Sequence, residues 1–190
     1  MLKKYLWGAF AALFAAGCAG PGTEDDYTVV DGTMLGTTLH IVADVPQTSA
    51  QELYAAVMEL DREAKASMSI FDPTSLLSRL NRNETDSVDR HIAFNLRLAD
   101  SIGALSGGCY DVTVKPLVEA WGFAGREAEA HPNIDSILTF VGRDKVRIVE
   151  GRLVKSDPRV QLDFNSVAKG YTVDLLAVLV ERPGARNYIV

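Results

Sequence analysis

The sequence predicts a mixed α/β (α+β) fold, a single domain whose sheet is covered by helices. Three observations carry that prediction. Apolar and β-branched residues alternate loosely through 27–45, and apolar residues recur at helical spacing through 49–66 and 91–105. The two patterns then intermix along the chain, with neither strict strand–helix alternation nor separation into blocks. At 190 residues, of which 47% are hydrophobic, the chain has material for one core behind a short leader.

The leader comes first. Residues 1–17 pass from Lys3 and Lys4 into the apolar stretch 5–16, which is too short to cross a bilayer as a mature helix and reads as a secretory signal. It closes on Phe14-Ala15-Ala16-Gly17-Cys18, which resembles the lipobox of bacterial lipoproteins, with Ala15 where leucine is commonest. Acyl chains on Cys18 would tether the domain to a membrane without a spanning helix, and 19–26 would be linker. The alternative is ordinary signal cleavage with Cys18 incidental. The expected organisation is a lipoprotein signal over 1–17, a lipidated cysteine and linker over 18–26, and the domain over 27–190, on the periplasmic side of a bacterial membrane. Excluding Cys18, Cys109 is the only cysteine, so no intrachain disulfide is expected and stability falls to the core.

In the domain, strands are expected within 27–45, the clearest over 37–45, with Gly32 and Gly36 as breaks and Pro46 as the stop. Ser49 with Glu52 forms a capping-box pattern, and Leu53, Val57, Leu60 and Ala64 follow at helical spacing to about residue 66. Asp72-Pro73-Thr74-Ser75 is turn chemistry before a short helix ending near Asn81. A long helix over 91–105 closes at Gly107-Gly108, and short helices are expected over 114–121 and 132–141. A hairpin is expected over 145–155 around Glu150-Gly151, a further strand over 160–164, a helix from about Ser166 to Arg182, and a buried strand over 187–190.

Charge narrows the function. The chain holds 25 Asp+Glu against 19 Lys+Arg, and no basic cluster follows Lys3 and Lys4, so a nucleic-acid partner is excluded. His40, His91 and His131 fall in no metal-ligand spacing.

Four clusters put polar residues and glycine where elements end, which is where sites gather. They are 33–38, 67–81, 107–114 and 162–174. Each has a bland explanation: glycine pairs end helices, Asp111 and Ser166 can cap them, Phe71 can pack in a core, and Lys169 can be a solvated charge. The fourth is the most informative, because a strand opening into a helix would present N–H groups beside Ser166 and Lys169 to a phosphate. It lacks the glycine spacing of a Walker loop or a dinucleotide fingerprint.

In this order and at these separations, the clusters resemble the FAD:protein FMN transferase (ApbE) family. The resemblance rests on Leu35-Gly36-Thr37; on Ser69-Ile70-Phe71 with Ser75 and Leu80-Asn81; on 107–114 with Trp121-Gly122-Phe123; and on 162–174. It implies a T-fold-like domain and a magnesium-dependent enzyme that cleaves the pyrophosphate of FAD. The FMN phosphate would go to a threonine hydroxyl of a target flavoprotein, releasing AMP. It further implies FAD contacts at Leu35, Phe71, Cys109, Tyr110, Asp111, Asp163 and Lys169, a Mg2+ ligand at Ser166, and targets among flavoprotein subunits of membrane redox complexes.

Leu35 stands where the family has methionine, an exchange that an apolar contact tolerates. The family's remaining metal ligands, an Asp and a Thr, would fall beyond Val190. The expectation is therefore the N-terminal portion of the domain, incomplete at its C-terminus. Two other readings stay open: a flavin-binding lipoprotein of the same fold without transfer activity, and an unrelated structural or scavenging lipoprotein.

Overall fold

A computed structural model of the chain describes residues 27–45 and 48–190. The expected signal sequence, the Cys18 anchor, the linker and the Pro46 stop lie outside the described residues.

The first hairpin pairs β1 (Thr28–Met34) with β2 (Thr37–Ala43), antiparallel with Thr28 opposite Ala43 and Met34 opposite Thr37. Its turn residues Leu35 and Gly36 both have positive φ, 48° and 73°, the geometry of a type I′ connection that matches the strands' twist. Gly32, expected as a break, instead continues β1. A Cβ there would meet the Tyr54 ring at 3.2 Å, so this glycine admits a helix lying close on the strand.

That helix is α1 (Ala50–Met68), opened by the expected capping box: Glu52 N–H donates to Ser49 Oγ, and Ser49 N–H donates to the Glu52 carboxylate. Its buried stripe is Leu53, Val57, Asp61, Ala64 and Met68. α2 (Leu76–Asn81) starts at the Ser75 cap, and α3 (Arg90–Leu105) at the Asp89 cap. α3 ends where Gly107 and Gly108 turn back with φ of 64° and 89°. The short helices α4 (Lys115–Ala120) and α5 (Ile134–Leu138) follow, and the expected second hairpin is β3 (Val146–Val149) with β4 (Arg152–Lys155). Glu150 and Gly151, at φ 49° and 74°, repeat the turn geometry of the first hairpin.

Three expectations fail near the C-terminal end. Residues 160–164 form no ladder and make one parallel bridge, Gln161 to Val114. Asn81 stands in for the missing neighbour: its Nδ2 donates to Leu162 O at 2.9 Å and its Oδ1 accepts from Leu162 N–H at 2.7 Å. The last helix, α6 (Ala168–Glu181), begins two residues after Ser166, which therefore neither caps it nor lies within it. The terminal strand β5 (Tyr188–Ile189) pairs antiparallel with β2 at the sheet edge, and Ile189 is 68% exposed rather than buried.

Two apolar clusters hold these parts together. One joins β1 and β2 to α1 and α6 through Val30, Ile41, Val57, Leu176 and Val180. The other joins α1, α2, α3 and the second hairpin around Leu77, Ile92, Leu162 and Phe164. The segment 160–169 therefore leaves the second cluster and feeds a helix that packs on both, through Tyr171 on the second and Leu176 and Val180 on the first.

Candidate functional site

A cleft of about 660 Å³ opens between the β1–β2 turn, the end of α1 and the start of α6. Its walls include Leu35, Lys65, Met68, Phe71, Asn165 and Lys169. Phe71 is 67% exposed, which removes core packing as its role and leaves a ring face for a planar ligand. Local hydrogen bonds hold the Phe71 loop. Ser69 Oγ accepts from the N–H groups of Phe71 and Asp72 at 3.1 Å each, and the Ser75 and Ser78 hydroxyls donate to Ser69 O at 2.5 and 3.1 Å. Thr74 donates to the Asp72 carboxylate from both its N–H and its hydroxyl, and the hydroxyl bond is the first reason the Asp72 carboxyl titrates below its ordinary value.

The expected residues near 110 lie elsewhere. Asp111 lines a separate cavity of about 320 Å³ between α3 and the second hairpin, together with Arg97, Arg143 and Arg147. Its Oδ1 accepts from the N–H and hydroxyl of Thr113 at 2.8 and 2.7 Å, a local turn rather than a helix cap. Cys109 is an exposed free thiol. Tyr110 reaches across to Ser166, with 2.7 Å between the two hydroxyl oxygens.

Asp163 lies between the two groups and is 8% exposed. Its N–H donates to Val112 O at 2.8 Å, and its Oδ1 accepts from Asn165 N–H at 2.8 Å. The turn after it is tight, because the N–H groups of Val167 and Ala168 both donate to Phe164 O, at 2.9 and 2.7 Å. These two donors are engaged by the chain itself, which corrects the expected row of N–H groups beside Ser166. Charge at the cleft comes from Lys169, Lys65 and the Asp72 carboxylate, and Lys65 is paired with Asp61 at 2.5 Å.

The ApbE family model matches residues 35–190, a span that covers the cleft, the Asp163 turn and the Asp111 cavity. The chain belongs to the ApbE family. A Haemophilus influenzae protein named FAD:protein FMN transferase is 30% identical over 204 residues, covering 100% of this chain and 59% of the relative. A Vibrio cholerae protein of the same name is 28% identical, covering 100% of this chain and 58% of the relative. Among solved structures, the apo form of the Pseudomonas stutzeri flavinyl transferase ApbE superposes with a TM-score of 0.80 at 25% identity, over 86% of this chain and 57% of that one. The chain thus spans somewhat under two thirds of the length of these relatives.

Family membership disposes of the unrelated-lipoprotein reading. Leu35, Phe71 and Lys169 do converge on one cleft, whereas Asp111 opens onto another cavity and Asp163 is buried in the turn that joins them. The Tyr110–Ser166 hydroxyl pair links the two regions.

Lys65 and Asp61 escaped the sequence analysis, whereas Asn165 falls within the 162–174 cluster. Lys65 and Asp61 sit inside a helix, and the one signal for them is that Asp61 falls on the apolar stripe, four residues after Val57. Of the expected metal ligands, the described residues hold Ser166 alone. Among the described residues no three His, Cys, Asp or Glu side chains come together, and magnesium takes near-octahedral oxygen ligands that the Ser166 hydroxyl alone does not provide.

Proposed function

We propose that the protein is an FAD:protein FMN transferase. The observation that carries this reading is the cleft where Leu35, Phe71 and Lys169 meet, within a chain matched along 35–190 by the ApbE family model. An apolar wall and an exposed aromatic ring suit an isoalloxazine, and an ammonium group beside them suits the adjoining phosphates. In the proposed step the threonine hydroxyl oxygen of a target flavoprotein attacks the phosphorus on the FMN side of the FAD pyrophosphate. The P–O bond to the AMP half breaks, the hydroxyl gives up its proton, and AMP leaves. Such transfers depend mainly on positioning and on offsetting developing charge, which is the role Lys169 takes.

The same reading includes a magnesium requirement, targets among subunits of membrane redox complexes, and anchoring through acylated Cys18 on the periplasmic side of a bacterial membrane. The anchor is supported by the run from Lys3 through the apolar stretch to Gly17-Cys18. No described helix is long and apolar enough to cross a membrane.

The test mixes the product of the complete reading frame with FAD, magnesium and a threonine-bearing acceptor domain, and weighs the acceptor. A mass increase of one FMN moiety, lost on chelation and in a threonine-to-alanine acceptor, is the expected result. Bound FAD without transfer would favour a flavin-binding protein of the same fold, and no FAD binding at all would sink both readings.

A further inference from the structure

Asp61 occupies a position where the periodicity of α1 calls for an apolar side chain. It follows Leu53 and Val57 on the buried stripe, precedes Ala64 and Met68, and is 8% exposed. A carboxylate persists at such a position when its oxygens are bonded, and both are. Oδ1 accepts from the backbone N–H of Leu35 at 2.9 Å, across 26 residues of sequence, and Oδ2 accepts from Lys65 Nζ at 2.5 Å.

The residue held this way is itself unusual. Leu35 has φ 48°, a left-handed conformation that a side chain larger than glycine disfavours and that persists only when its surroundings fix it. Its side chain lines the cleft and packs against both apolar clusters. One carboxylate thus joins the β1–β2 turn to α1, and it offsets the Lys65 charge at the same time. Lys169 is left as the cleft cation without a carboxylate partner among the described residues.

We propose that Asp61 is a positioning residue of this cleft: its Oδ1 anchors the strained Leu35 turn on α1 and so sets the apolar wall against which the flavin binds. The flavin part rests on the proposed function, and the anchor itself does not.

Three substitutions test it, read by hydrogen exchange at the Leu35 amide, by FAD affinity from flavin fluorescence, and by thermal melting. Asp61→Asn keeps an acceptor at Oδ1, so the Leu35 amide stays protected and FAD affinity stays within about threefold of the parent. Asp61→Leu suits the apolar stripe but removes the acceptor. Exchange at Leu35 accelerates about tenfold and FAD binds about tenfold more weakly, with melting little changed. Lys65→Met keeps the anchor and removes the ammonium, so the Leu35 amide remains protected.

Protection of Leu35 and unchanged affinity in Asp61→Leu would overturn the proposal. Equal losses in Asp61→Asn and Asp61→Leu, or an unprotected Leu35 in Lys65→Met, would assign the effect to the ion pair and overturn it as well. The Lys65→Met result stands even if Asp61→Leu fails to fold. A parent protein that does not bind FAD would refute the flavin reading, while exchange at Leu35 would still decide whether the anchor exists.

Discussion

The buried stretch 160–164 and the exposed rim at Phe71 and Lys169 are adjacent in the candidate site and are built on opposite terms. Val160, Leu162 and Phe164 are 0% exposed, and Leu162 is held on both its N–H and its carbonyl by the Asn81 side chain. Phe71 stands 67% exposed, and Lys169 is exposed at the first turn of α6. The contrast teaches that position is stored in the buried stretch and chemistry is offered by the rim. Damage to the first should therefore unfold the protein, and damage to the second should leave it folded and unable to bind.

The largest effect should come from Phe164→Ala, which empties the core beneath the Asp163–Lys169 turn. Loss of a buried ring of this kind costs about 4 kcal/mol, read as a shift in the urea midpoint. Asn81→Leu should follow at about 3 kcal/mol, because it orphans the Leu162 N–H and carbonyl in an apolar setting. If Asn81→Leu left stability intact, a neighbouring strand rather than this side chain would have to be ordering 160–164.

Lys169→Ala inverts the pattern. FAD binding should weaken by about 2 kcal/mol, as for a lost charge-assisted contact, while the unfolding midpoint stays within about 0.5 kcal/mol of the parent. A large loss of stability there would erase the distinction between the two regions.

The smallest effect is a pH dependence at the joint under α6. His91 of α3 is 4% exposed, and its Nδ1 lies 2.9 Å from the Tyr171 hydroxyl of α6. Burial, above all, holds its pKa below the ordinary 6.5, against the pull of Asp89 and Glu63. The unfolded chain then binds more proton than the folded one between the folded pKa and 6.5. This share of stability is complete above 6.5 and is lost as pH falls through the folded pKa. Urea titrations of His91→Gln should lack that acid-side decline, and an unchanged decline would place it on another group.

Local chemistry made much of the fold legible. The Ser49–Glu52 capping box, the turn before α2, the glycine pair after α3 and the Glu150-Gly151 hairpin each depend on residues a few positions apart, and each formed as read. The misreadings concern longer range. Gly32 looked like a break because its use, room for the Tyr54 ring, belongs to another element. Residues 160–164 looked like a strand because the alternation of Val160, Leu162 and Phe164 with Gln161 and Asp163 is the same whether the partner is a ladder or the Asn81 amide. Ser166 looked like part of a helix because nothing in its own neighbourhood says that Phe164 O closes the turn first.

By itself, then, the sequence determined the mixed α/β class, the caps and turns, and the set of clusters that mark the family, since these follow from short-range hydrogen bonding, side-chain periodicity and residue order. Only the tertiary structure decided that Leu35, Phe71 and Lys169 share a cleft while Asp111 faces another cavity. It also decided that a carboxylate on α1 holds the turn at Leu35. The physical reason is that such contacts join residues tens of positions apart, and their geometry exists only once the apolar clusters have packed α1, α3 and α6 around the buried stretch.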